Sequence, residues 1–174
     1  MDPRFPIGKF QQQSSLTSEE RAAAVRSLVE TPAHLRAAVK GLSNTQLDTP
    51  YRDGGWTVRE VVHHVPDSHM NAYMRMKHAL TENAPTIKPY DQALWAKLAD
   101  STGPVESSLA LLEGLHERWV RLIHSLAPAD FSRTFVHPEY PDAPRTLDWL
   151  LALYSWHGPH HVAHITTLRD RMGW

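Results

Sequence analysis

Residues Leu147 to Met172 read as one long helix whose apolar face is interrupted midway by histidine. The run Trp156-His157-Gly158-Pro159-His160-His161-Val162-Ala163-His164 places four imidazoles within eight residues. At ~100° per residue, His157, His160, His161 and His164 fall within roughly a 100° arc of one face. The same register sets Leu150, Leu153 and Tyr154 before them and Ile165 and Leu168 after them. The histidines therefore stand at core positions, not on the solvated side. Several imidazoles buried together are unfavourable unless their nitrogens are satisfied. A divalent metal satisfies them, and a hydrogen-bonded core cluster is the competing solution. Whatever packs on this helix must supply further ligands or further hydrogen-bond partners.

The rest of the chain predicts helices to do that packing. Residues 1–16, with three glutamines and two prolines, read as an extended arm. Thr17-Ser18-Glu19-Glu20 fits a capping box and opens a helix to near Gly41, which Pro32 is expected to bend or divide. A short helical turn at Ser43 to Gln46 precedes the loop Asp48 to Gly55. Thr57-Val58-Arg59-Glu60 is a second capping box, starting a helix to about Thr81 with a kink expected at Pro66. After a proline-containing stretch with a short helical piece near Asp91 to Leu98, Pro104 suits the first turn of a third long helix. Its stripe is Leu109, Leu112, Leu115, Trp119, Leu122, Ile123 and Leu126. A short extended element is expected around Thr134 to His137, and Thr146 then caps the last helix, which Gly173 stops. Four long amphipathic helices with little strand signal predict an all-α four-helix bundle with long irregular connections, one domain over 1–174.

Composition narrows the chemistry. Cysteine is absent, so any metal must be held by histidine and carboxylate, and a cysteine nucleophile is excluded. A net charge of −1 without long runs of one sign gives no support for nucleic-acid or anionic-membrane binding. No apolar stretch approaches the ~20 residues of a membrane span, and Met1 to Pro6 lacks a secretory h-region. A cytoplasmic protein is the expectation. Gly54-Gly55 is no phosphate loop, and no Gly-x-Ser-x-Gly elbow or His-Glu-x-x-His pattern occurs. Glu60-Val61-Val62-His63 stands alone, without the facing partner of a di-iron site.

The pairs His157/His161 and His160/His164 have the i,i+4 spacing with which a helix offers two ligands to one ion. A catalytic zinc-type site takes a third protein ligand and keeps one position open. The second long helix offers His63, His64, Asp67 and His69 for it. Its stripe, Val58-Val61-Val65-Ala72-Met76, turns His63 towards solvent, sets His64 on the edge and places His69 inside. Periodicity slightly favours His69, but the kink at Pro66 leaves the choice open. His78, His116, His124 and His137 stand singly and read as surface or locally bonded residues. Trp56 reads as a hydrophobic staple and Trp156 as a pocket wall.

These residues resemble the DinB-like metalloprotein superfamily, and within it the YfiT group of metal-dependent hydrolases and bacillithiol transferases. The likeness rests on Pro6-Ile7-Gly8, on Gln46 to Arg59, on Val61-Val62-His63-His64-Val65-Pro66-Asp67-Ser68-His69-Met70-Asn71, on Pro85 to Tyr90, and on Trp156 to Ile165. The resemblance implies a metal held by His64, His157 and His161, overriding the slight preference for His69. It leaves His160 and His164 as pocket-lining residues. Gly158-Pro159 departs from the family pattern, and so does Pro66. The function implied is metal-dependent hydrolysis, with one zinc or nickel ion per subunit and an open position for water or a thiolate. The alternative is transfer of a low-molecular-weight thiol to an electrophile, its sulfur coming from the cosubstrate. A non-catalytic bundle with an ion closed by His69, His160 or His164 is a third reading. Asp67, His160 and His164 are candidates to orient ligands or relay protons, the partner is a small molecule, and a homodimer is implied.

Overall fold

The computed structural model describes residues 2–174. Four long helices form the bundle: α1 (Ser18–Val39), α3 (Val58–Thr81), α5 (Val105–His124) and α6 (Leu147–Met172). Two short ones lie in the connections, α2 (Asn44–Leu47) and α4 (Gln92–Trp95). Helix α1 packs against α5 and α6, and α3 packs against the same two. The consecutive helices α1 and α3 therefore sit diagonally across the bundle. This arrangement is the expected all-α four-helix bundle, with a small hairpin added.

The start signals act as their sequences predict. Thr17 Oγ1 accepts from the Glu20 amide while the Glu20 carboxylate accepts from the Thr17 amide. Thr57 and Glu60 exchange the same pair of bonds. Ser43 and Gln46 make a third such box at α2. Thr146 caps α6, and Gly173 ends it in the left-handed region at φ 70°. Pro104 sits at the N-cap position of α5, one residue earlier than expected. The expected strand is present as β1 (Thr134–His137), and it pairs antiparallel with β2 (Tyr140–Thr146), which the prolines Pro141 and Pro144 had concealed. The Ile87 amide donates to the Val136 carbonyl, tying the stretch before α4 to this hairpin.

Three prolines lie inside long helices, Pro32 in α1, Pro66 in α3 and Pro159 in α6, and none divides its helix. A proline removes an N–H and frees the carbonyl four residues earlier. Two of these carbonyls have found donors elsewhere. The Ser155 carbonyl, opposite Pro159, accepts from the Ser27 hydroxyl at 2.7 Å. The Leu28 carbonyl, opposite Pro32, accepts from His116 Nδ1 at 2.6 Å.

The apolar interior is split in two. One cluster gathers Leu28, Met76, Trp119, Leu147, Leu150 and Leu151, and the other Leu35, Val58, Val62, Leu112, Ile165 and Leu168. Every long helix contributes to both clusters and carries polar residues between its two contributions. On α6 these are the four histidines, on α3 Ser68 and His69 with His64 one turn before them, on α5 His116, and on α1 Thr31. A polar layer thus crosses the middle of the bundle, and the candidate site lies in it.

Candidate metal centre

His64 from α3 and His157 and His161 from α6 offer ring nitrogens that all lie within 4.8 Å of one another. His64 and His161 are buried and His157 is half-buried. The i,i+4 spacing on α6 brings His157 Nε2 to 3.2 Å from His161 Nε2. Ring centroids of His64 lie 5.4 Å from those of His157 and 4.8 Å from those of His161. Trp56, at the N-terminal side of α3, packs on His64 at 4.6 Å. It is half-buried against the Val58–Leu168 cluster, and so serves as staple and cavity wall together.

Burial sets the charge state of these rings. Desolvation, with the neighbouring His160 and His164 adding to it, pushes His64 down to about 4. His157 and His161 are driven well below the ordinary histidine range by burial first and by neighbouring histidines second. Near neutral pH the three rings are uncharged donors, the form in which imidazole binds metal. Three neutral nitrogens with no thiolate match the donor set of a zinc-type site that keeps a position open. A 3.2 Å nitrogen–nitrogen separation suits two ligands each ~2.0–2.1 Å from one ion. The residues present therefore fit a divalent metal.

The trio opens into a cavity of about 380 Å³, lined also by Arg4, Tyr51, Arg52, Gln92 and Trp156. The turn Tyr51–Trp56 shapes one wall: the Tyr51 amide donates to the Trp56 carbonyl and the Gly55 amide to the Arg52 carbonyl. Gly54 holds φ 61° there, and a Cβ on Gly55 would lie 2.7 Å from Arg52 Cγ. His160 and His164 both line the cavity. His160 stacks on Trp156 at 4.2 Å, and its Nδ1 is buried without a hydrogen-bond partner. His164 stacks on Tyr51 at 4.0 Å and bridges His161 Nδ1 (3.4 Å) and the Arg4 carbonyl (3.3 Å). The arm thus forms part of the site.

The remaining candidates stand outside the trio. Asp67 does not line this cavity; its carboxyl is pushed up to about 6 by burial and by Asp100. His63 is buried, not exposed, donating from Nε2 to the Gly103 carbonyl and accepting at Nδ1 from the Ser108 hydroxyl. The start of α5 covers the side of α3 that periodicity assigned to solvent. His69 is fully buried but stands outside the trio, its Nε2 3.1 Å from His157 Nδ1. His116 is buried rather than at the surface, 2.8 Å from His69. His78 and His124 are exposed, as expected.

The profile of the DinB superfamily matches residues 27–165. A Bacillus mycoides protein named "Putative metal-dependent hydrolase" is 52% identical over 173 residues, 99% of each chain. A Bacillus thuringiensis subsp. konkukian protein of the same description is also 52% identical over 99% of each chain. The solved structure of YfiT from Bacillus subtilis superposes with a TM-score of 0.96 at 48% identity, covering 100% of this chain and 99% of that one. It is described as a probable metal-dependent hydrolase with an unusual four-helix bundle topology. The profile takes in both the α3 and the α6 histidines, and the chain belongs to the DinB superfamily.

Proposed function

We propose that this chain is a metal-dependent hydrolase acting on a small polar substrate, with one zinc or nickel ion held by His64, His157 and His161. The observation that carries the reading is three neutral imidazole nitrogens within 4.8 Å of one another at the floor of a cavity. A bound ion supplies Lewis acidity, acidifying water and polarising a carbonyl or similar group. The chain's own residues do the rest. His160, stacked on Trp156 in the cavity wall, would relay a proton between water and the leaving group. Arg52 in the cavity lining favours a substrate carrying negative charge, the Arg4 guanidinium being paired with Asp2, and Gln92 adds an amide for orientation. Trp56 and Tyr51 limit access of bulk water to the ligands. The relatives' names support hydrolysis. No helix is long and apolar enough to cross a membrane; the working form proposed is a cytoplasmic homodimer.

Metal analysis of the purified protein, followed by ester, amide and thiol-conjugation assays, tests this reading. The expected result is one ion per chain and hydrolysis that chelation abolishes. Conjugation of bacillithiol or another thiol without hydrolysis would make the chain a thiol S-transferase instead. A cobalt-substituted spectrum of a closed four-ligand site, indifferent to added thiol, together with no activity, would make the ion structural.

A further inference from the structure

Beneath the trio, on the side away from the cavity, two more histidines cross the bundle. His69 is 0% and His116 2% exposed. They link in series: His116 Nδ1 to the Leu28 carbonyl at 2.6 Å, His69 Nδ1 to His116 Nε2 at 2.8 Å, and His157 Nδ1 to His69 Nε2 at 3.1 Å. Trp119 and Tyr154 close around His69, each edge to face, with ring centroids at 6.0 and 4.9 Å.

The direction of this chain follows from its far end. A carbonyl oxygen only accepts, so His116 carries its proton on Nδ1. No carboxylate hydrogen-bonds any of the three rings among the described residues, and a buried unpaired imidazolium is strongly disfavoured. Neutral His116 therefore presents a bare Nε2, which requires a proton on His69 Nδ1. Neutral His69 in turn presents a bare Nε2, which requires a proton on His157 Nδ1. That leaves His157 Nε2 bare, and it is the nitrogen turned towards His161. The anchor exists because Pro32 has no amide to occupy the Leu28 carbonyl.

We propose that Leu28, His116 and His69 form a buried hydrogen-bond relay that fixes His157 in its Nδ1-protonated tautomer, presenting Nε2 to the metal. His69 and His116 are positioning residues. They touch neither substrate nor ion, and they act by orienting the ring of one ligand and selecting its donor atom. The last link rests on the metal reading above, whereas the relay itself belongs to the metal-free fold.

Two measurements on the full chain test it. In histidine-15N-labelled protein treated with chelator above pH 7, long-range 1H–15N correlations report the tautomer of each ring. His69 and His116 are both expected as Nδ1–H, the form less favoured by free imidazole. An Nε2–H or doubly protonated ring at either position overturns the relay. Zinc affinity by chelator competition tests the last link. His69→Phe keeps the ring shape but offers no acceptor, and a loss of about 10–100-fold is expected. His69→Gln, whose Oε1 can accept from His157, should recover most of it. Equal losses in both variants, with unchanged thermal unfolding, or no loss in His69→Phe, would refute the positioning role. If His69→Phe does not fold, the wild-type tautomers decide. Wild-type protein that binds no zinc removes the metal reading and the last link, while the tautomers still judge the relay.

Discussion

Thr31 and Gly158 meet so closely across the α1–α6 contact that a methyl on Gly158 would lie 2.5 Å from Thr31 Oγ1 and 2.6 Å from Cγ2. Thr31 has little freedom to retreat, being buried and donating to the Ser27 carbonyl at 2.7 Å. Gly158 is therefore a packing device that lets two helices approach beside the histidine trio. Gly158→Ala is expected to destabilise the protein by about 1–3 kcal/mol through overpacking. Thr31→Ala in the same chain should return part of that loss, a coupling that denaturant melts of the two single variants and the double variant would measure.

Alanine at His64, His157 or His161 removes one donor from a site with no thiolate to replace it. Each variant is expected to purify with less than a tenth of the wild-type zinc. His160→Ala should keep full stoichiometry, because that ring lies beside the trio rather than in it. Metal content after dialysis against a weak chelator separates the two outcomes. Retention of zinc in all three ligand variants would reject the assignment.

The pH dependence of stability has a defined sign. Burial, the leading cause in each case, lowers His63, His64, His69, His116, His157, His160, His161 and His164 in the folded state, with His64 and His160 near about 4. An unfolded histidine titrates near 6.5. As pH falls from 6.5 towards 4, the unfolded chain binds more protons than the native one, and stability falls. Asp67 acts oppositely: with its carboxyl raised from 3.8 to about 6, its contribution weakens as pH rises through that window. Eight histidines outweigh one half-buried carboxylate. Chelator-treated protein should therefore lose denaturant midpoint steadily between pH 7 and 5, and zinc should oppose the loss by competing with protons. A flat profile would contradict the neutral, buried layer.

Asp148 holds the arm to the bundle. Its buried carboxylate accepts from the Leu16 amide at 3.0 Å and from both Arg21 Nε and Nη2, at 2.7 and 2.8 Å. Removing one member of such a pair strands the other, and Asp148→Ala is expected to cost about 3–5 kcal/mol. Because Arg4, on the same arm, gives its carbonyl to His164, limited proteolysis should also cut residues 5–15 faster in this variant. Unchanged cleavage would show that the arm is held by its other contacts.

Much of this fold was legible because its signals are local. Capping boxes at Thr17 and Thr57, the cap at Thr146 and the stop at Gly173 each act within one turn of helix. The α6 pair was legible for the same reason, since i,i+4 spacing fixes two rings on one face. The third histidine was not, because a choice between His64 and His69 depends on how α3 is rotated against α6. Only the resemblance to relatives pointed to His64. The burial of His63 was missed for a related reason: it lies on the face its own helix assigns to solvent, and the Ser108 hydroxyl and Gly103 carbonyl cover it. His116 stands in line with Leu112 and Trp119 on the α5 stripe, and its burial follows from that spacing. A stripe of apolar residues shows where a helix is greasy, not where a neighbour brings a hydroxyl or a carbonyl.

The prolines at 32 and 159 lead to a rule that reaches beyond this bundle. Within a helix, a proline converts the oxygen four positions before it from an internal rung into an outward-facing acceptor. In this chain the oxygens opposite Pro32 and Pro159, though not, among the described residues, the one opposite Pro66, are claimed by a side chain from another helix, His116 in one case and Ser27 in the other. Interhelical docking is thereby written into the sequence as a pair of positions, a proline and a distant donor, with the spacing on one side fixed at four. Searching for that pairing in other histidine-rich bundles would pick out which lone core histidines are tethered, and to which turn, before any coordinates are known.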